Sequence, residues 1–297
     1  MKLRNQLTGR CSKVFFPYLL ISPAVIYILS MFIYPLFSSL RLSLRSIRLY
    51  ELTTGGVFIG LKNYISALQE PRFWNALGNT VTFMVISVGL ELLFGLGIAM
   101  LLNTKLKGRS FYRVIIITPL MLTPVIVGID FKMFFNYIYG INNWFLGLFS
   151  LGPVQWLSHP FWAMFSVITT EVWNQTPFVV LIVLAGLQSI PNELNDAAKV
   201  DGANELRKFL YITLPMLKPM LYVAIFWRTV ATFRVYDIIF VLTGGGPTYS
   251  TESMSIMVSS LGFGSGRMGY ANALSFLMIL IVVIFALIYN KKTQTNY

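Results

Sequence analysis

Six separate stretches of this chain stay apolar for about 20 residues or more, the length a helix needs to cross roughly 30 Å of hydrocarbon at 1.5 Å per residue. They run approximately from Phe15 to Phe37, Ala76 to Leu102, Val114 to Tyr139, Phe161 to Leu187, Leu217 to Leu242 and Tyr270 to Tyr289. In lipid every backbone N–H and C=O must be paired within the protein, so runs of this length read as helices. With 56% hydrophobic and 11% charged residues among 297, the chain has too little polar surface for a soluble globule. The expected fold class is all-α: a polytopic integral membrane bundle of six transmembrane helices. No small-residue cleavage site follows the first run, which is expected to stay as a helix. The expected divisions are a cytoplasmic tail at 1–14, a membrane domain at 15–289 and a second cytoplasmic tail at 290–297.

Charge sets the orientation. A net charge of +12 could point to nucleic acid. The basic residues, however, lie in short segments between apolar runs, as in membrane-protein loops, and no nucleic-acid partner is expected. The N-terminus, the loop at 103–113, the loop at 188–218 and the C-terminal tail hold fourteen Lys and Arg, against six in the three intervening loops. Both termini are therefore expected in the cytoplasm, with the chain surrounded by membrane lipid. Arg41, Arg45 and Arg48 run against this count. Their helical spacing beside Leu42, Leu44 and Leu49 suggests a segment lying flat at the interface, with arginines reaching into headgroups.

The stretch LNDAAKVDGANELRKFLYITLPMLKP, Leu194 to Pro219, is a polar insertion between two of the most hydrophobic runs. Pro191 suits a first helical turn, where Glu193 and Asp196 are favoured by the helix dipole. Gly202 can take the left-handed conformation that ends this helix, and Asn204 can cap a second helix that stops before Pro215. Ala197, Ala198 and Ala203 leave little bulk, so a partner could approach the backbone closely.

DAAKVDGA followed by ITLPMLKP resembles the EAA motif of permease subunits of bacterial ATP-binding cassette (ABC) importers. Asp196, Ala197, Ala198, Asp201, Gly202 and Pro215 match it position by position, with Asp196 in place of the more frequent Glu. The segments VWNQTPFVVLIVLAGLQSIP, FRVYDIIFVLTGGGPTYST and GINNWFLGLF are similar to the carbohydrate-importing branch with its GGGP loop. The resemblance implies a type I importer permease in which 188–219 is the cytoplasmic coupling loop, docked in a cleft of an ATPase subunit. It further implies a second similar permease, two ATP-binding cassette subunits and an extracytoplasmic solute-binding protein, at a bacterial cytoplasmic membrane. The expected function is import of a sugar or sugar-derived solute by alternating access. A non-sugar polar solute and a secondary transporter are the alternatives.

No catalytic constellation accompanies this. There is no G-x-x-x-x-G-K-[ST] loop and TGGGPTYST lacks the phosphate-reaching lysine, so ATP and its Mg are expected on partner subunits and no cofactor on this chain. The single cysteine, Cys11, and single histidine, His159, provide neither a disulfide framework nor a metal site. What remain are polar groups within the spans, which are costly in lipid and face protein or water. Glu171, Asn174 and Gln175 share a face at i, i+3 and i+4, ahead of Pro177. Hydroxyl-rich sugars suit such groups together with aromatic faces such as Trp173. Arg228, Arg234 and Asp237, with Gly245 and Gly246 of the GGGP turn, complete the expected substrate path. Each has a plainer reading: Arg234 and Asp237 can neutralise one another, Glu91 can serve assembly, and Asp130 and Lys132 can sit at the water boundary.

Overall fold

The computed structural model describes residues 2–51, 55–104 and 107–294. The ends of both tails, Met1 and 295–297, and the side chain of Cys11 lie outside that description. The chain divides into two units, one formed by 1–67 with 261–276 and the other by 68–260 with 277–297.

In the first unit, α1 runs from Lys2 to Ser43, so what is described of the N-terminal tail is helical and continuous with the first span. The expected interfacial helix around Arg41 to Arg48 does not form. Instead α1 gives way to a two-stranded antiparallel ribbon, β1 (Arg45–Ser46) paired with β2 (Val57–Phe58). The reason lies in hydrogen bonds that a continuing helix could not share. Asn63, buried on α2 (Lys62–Gln69), donates its amide to the carbonyls of Ser43 (2.8 Å) and Arg45 (2.9 Å). The next turns are tied to the segment at the start of α13 (Met268–Gln294) by Leu49 N–H to Gly266 O (2.8 Å) and Gly269 N–H to Ile47 O (3.1 Å).

The second unit is built on α3 (Pro71–Asn103) and α7 (Pro160–Ser189). Their contact is close because Gly95 faces Val179: a Cβ on Gly95 would fall 2.5 Å from Val179 Cγ1. Small residues bring helices together in this way where lipid supplies no hydrophobic drive. Below this contact Ala99, Leu102, Val183, Leu187 and Leu217 form one apolar cluster. A second gathers Phe83, Phe135, Val167, Ile238 and Ile239.

Among the described residues, five helices are long and apolar enough to span: 17–43 of α1, α3, α7, Glu205–Phe233 and Met268–Thr293. The expected third span is not one straight helix. It is α4 (Arg109–Met121) followed by α5 (Pro124–Phe134), bent by 98°. Pro124 lacks an N–H and disfavours helical backbone at Thr123, whose ψ is 141°. The expected fifth run also divides, with α10 (Leu214–Phe233) ending before the weak helix formers Val235 and Tyr236 and α11 (Asp237–Leu242) starting anew. Short helices α6 (Ile141–Leu148) and α12 (Met254–Ser259) lie in the connections after α5 and α11.

Candidate functional site

The polar insertion folds as a hairpin. Helix α8 (Asn192–Val200) begins just after Pro191, with Glu193 in its first turn; Pro191 therefore precedes the helix rather than occupying its first turn. It closes on Gly202, whose φ of 71° is the left-handed value expected there. The N–H of Ala203 reaches back to Ala198 O (2.9 Å) and that of Asp201 to Ala197 O (3.0 Å), which satisfies the last carbonyls of the helix. Asn204 then caps α9 (Glu205–Lys208), its side chain accepting from Arg207 N–H at 2.8 Å.

One expectation fails in this hairpin: the second helix does not stop before Pro215. It passes through a π turn, Phe209–Thr213, directly into α10. The wider turn lets Leu214 N–H bond Phe209 O five residues back, which absorbs a proline that would otherwise interrupt the ladder. Asp196, Ala197, Asp201, Gly202 and Pro215 are exposed and Ala203 is half-buried, whereas Ala198 is buried.

Above the hairpin, α3, α7 and α10 meet at Arg228, which is 4% exposed. Its Nε donates to Glu91 Oε2 (2.6 Å) and its Nη2 to Glu91 Oε1 (2.9 Å), a two-pronged pair between α10 and α3. Nη2 also donates to Glu171 Oε1 (2.6 Å) and Thr232 Oγ1 (3.1 Å), and Nη1 to Gln175 Oε1 (3.1 Å). Gln175 passes the chain on, donating to Asn174 Oδ1 (2.6 Å), and Asn174 donates to the carbonyl of Pro119 (2.7 Å) near the break between α4 and α5. Four helices are thus joined by one run of hydrogen bonds. Two carboxylates around one guanidinium give a formal charge of −1, and Glu91, Glu171 and Asn174 are all buried.

The structure accordingly brings together Glu171, Asn174, Gln175 and Arg228 from the expected path, and adds Glu91 to them. In this structure their donors bond to one another, to Glu91 and Thr232, and to the Pro119 carbonyl. Trp173 points elsewhere: it is 43% exposed, with its ring 5.3 Å from that of Phe131. Arg234 and Asp237 are both exposed and, among the described residues, form no ion pair with one another. Lys132 donates to Val241 O at 2.8 Å, joining α5 to α11.

Gly245 and Gly246 belong to a separate structure at the other end of α3. Gly244 and Gly245 have φ of 60° and 93°, and Thr251 closes the turn by donating to Gly246 O (2.7 Å). Glu252 receives Arg72 through two bonds of 2.9 and 2.6 Å, and Asn75 and Asn79 donate to Tyr249 O (3.0 and 2.8 Å). Arg72 and Glu91 are 19 residues apart on α3, or about 28 Å at helical rise. The turn and the Arg228 cluster are therefore distinct sites. Sequence reading missed the Arg72–Glu252 pair, whose members lie 180 residues apart and leave no local pattern.

Residues 91–291 match the family of binding-protein-dependent transport system inner membrane components. The trehalose/maltose transport system permease protein MalF of Thermococcus litoralis is 39% identical, over 92% of this chain and 92% of its own. The sulfoquinovosyl glycerol transport system permease protein SmoG of Agrobacterium fabrum is 34% identical, over 94% and 90%. In fold the chain is similar to one from a bacterial ABC transporter involved in the import of the acidic polysaccharide alginate, with a TM-score of 0.85 and 22% identity over 98% of this chain and 99% of that one.

Proposed function

This chain belongs to the family of binding-protein-dependent transport system inner membrane components, and from that membership we propose that it is the permease subunit of an ATP-driven importer for a sugar or sugar-derived solute. The sugar assignment is supported by relatives named for trehalose, maltose and sulfoquinovosyl glycerol transport. A second permease, two ATPase subunits that hold ATP and Mg, and an extracytoplasmic binding protein complete the assembly, with both termini of this chain in the cytoplasm. This subunit itself binds no cofactor.

One observation carries the mechanism: the hairpin around Gly202 is continuous through the π turn with the helix that holds Arg228. Closure of the ATPase subunits on ATP displaces the hairpin, with Asp196, Ala197, Asp201, Gly202 and Ala203 at the docking surface and the buried Ala198 supporting it. The displacement is transmitted along α10 to the cluster of Glu91, Glu171, Gln175 and Arg228. We read that cluster as a lock on one of two states of the bundle, which ATP biases toward the other. Gly245, Gly246, Arg234 and Asp237 line the outer part of the path, with Trp173 as an apolar surface.

The test is reconstitution of the full assembly in liposomes with radiolabelled trehalose, maltose or lactose. Uptake is expected only with ATP inside together with the binding protein, and it should be insensitive to a protonophore. Equal uptake without the ATPase subunits would overturn the reading.

A further inference from the structure

The start of α4 carries a feature that the transport mechanism does not use. Arg109 and Arg113 stand at i and i+4 on α4, both half-buried, so two like charges share one face near the positive end of a helix dipole. The first turn of α4 holds no acid, and neither arginine has an ion pair among the described residues. What they share is a neutral group: with its amide turned so that the oxygen faces them, Gln188, near the end of α7, accepts from Arg109 Nη2 (3.0 Å) and Arg113 Nη2 (2.7 Å). An amide oxygen does not neutralise two guanidinium groups. The Nε atoms of both are also buried without a hydrogen-bond partner, although buried polar atoms are nearly always satisfied.

Beside them lies a groove of about 290 Å³. Arg113 and Gln188 are its polar lining, and Leu102, Ile117, Leu181 and Ala185 are among its apolar walls. Its α7 wall runs from Val180 to Gln188, about 12 Å of helix. Leu102, Arg109 and Gln188 each sit at a helix end where a span meets one membrane face. Unsatisfied cationic donors next to an apolar trough at the bilayer edge match a phosphate headgroup joined to an acyl chain.

We propose that Arg109, Arg113 and Gln188, with the groove between α3, α4 and α7, form a binding site for one anionic phospholipid. The phosphate pairs with the two guanidinium groups and the chain occupies the trough.

The experiment is lipid retention by the purified full-length chain, measured by native mass spectrometry after exchange in mixed micelles of phosphatidylglycerol and phosphatidylcholine. One phosphatidylglycerol should be retained preferentially. Arg109→Gln with Arg113→Gln should cut that preference about thirtyfold, each arginine near a membrane surface contributing about fivefold, while Lys at both positions should keep most of it. Ala185→Phe, at an exposed wall position, should lower retention with both arginines intact, which keeps the proposal testable if the double variant does not fold. Equal retention of phosphatidylcholine, displacement by millimolar inorganic phosphate, or unaltered preference in the Gln variant together with unaltered retention in the Phe variant would each overturn it. The first outcome would remove headgroup selectivity, the second would leave only a free-anion site, and the third would place the lipid elsewhere.

Discussion

At the scale of single residues, Arg228 is the side chain on which most depends. Removing one partner of a buried ion pair typically costs about 3–5 kcal/mol, because the remaining charge is stranded, whereas replacing the whole group by apolar residues of similar size can be neutral. Arg228→Met alone should therefore sharply lower the denaturant midpoint in detergent, and Arg228→Met combined with Glu91→Met and Glu171→Met should restore much of it. No loss in the single variant would mean that Arg228 does not hold α3, α7 and α10 together. Gly202 makes a different kind of prediction. A Cβ there meets nothing within 4 Å, so any effect of substitution comes from the backbone φ of 71° and not from crowding. Gly202→Val should carry roughly 1–2 kcal/mol of strain and uncouple ATP hydrolysis from uptake, whereas Asn, which tolerates that conformation, should not. Parallel ATPase and uptake assays distinguish these outcomes.

At the scale of elements, the contact between α3 and α7 is set by a missing side chain. Gly95→Leu should cost about 1–3 kcal/mol by overpacking, and Val179→Ala should partly relieve it; thermal unfolding of the double variant reads the rescue. Elements of this kind explain what the sequence could and could not say. Runs of apolar residues have a period and a length, so five spans were legible, and the caps at Gly202 and Asn204 were legible because each is a local hydrogen-bond problem with few solutions. The break at Pro124 was visible as a proline, yet an apolar count over Val114 to Tyr139 reads through it. Pro215 misled in the opposite sense, since a π turn absorbs a proline that pattern reading treats as a stop. The partnership of Glu91 with Arg228 joins residues 137 apart in sequence and left no local trace. Without it, the acid and amides of α7 read as one shared polar face, and their bonds to other helices stay hidden.

At the scale of the whole molecule, the count of fourteen basic residues against six makes cytoplasmic termini a testable expectation. The chain has a single cysteine, Cys11, so topology can be checked without mutation. A membrane-impermeant maleimide should leave Cys11 unlabelled in intact cells and label it in inverted vesicles; the reverse pattern would turn the bundle over and place the hairpin outside. The π turn also has a consequence for the chain as a mechanism. Each helical residue adds about 100° of rotation, so deleting one residue between Phe209 and Thr213 would swing Arg228 through that angle, away from both carboxylates. Elbow and clasp are keyed to the same shaft, and five residues of loosened winding set the phase between them.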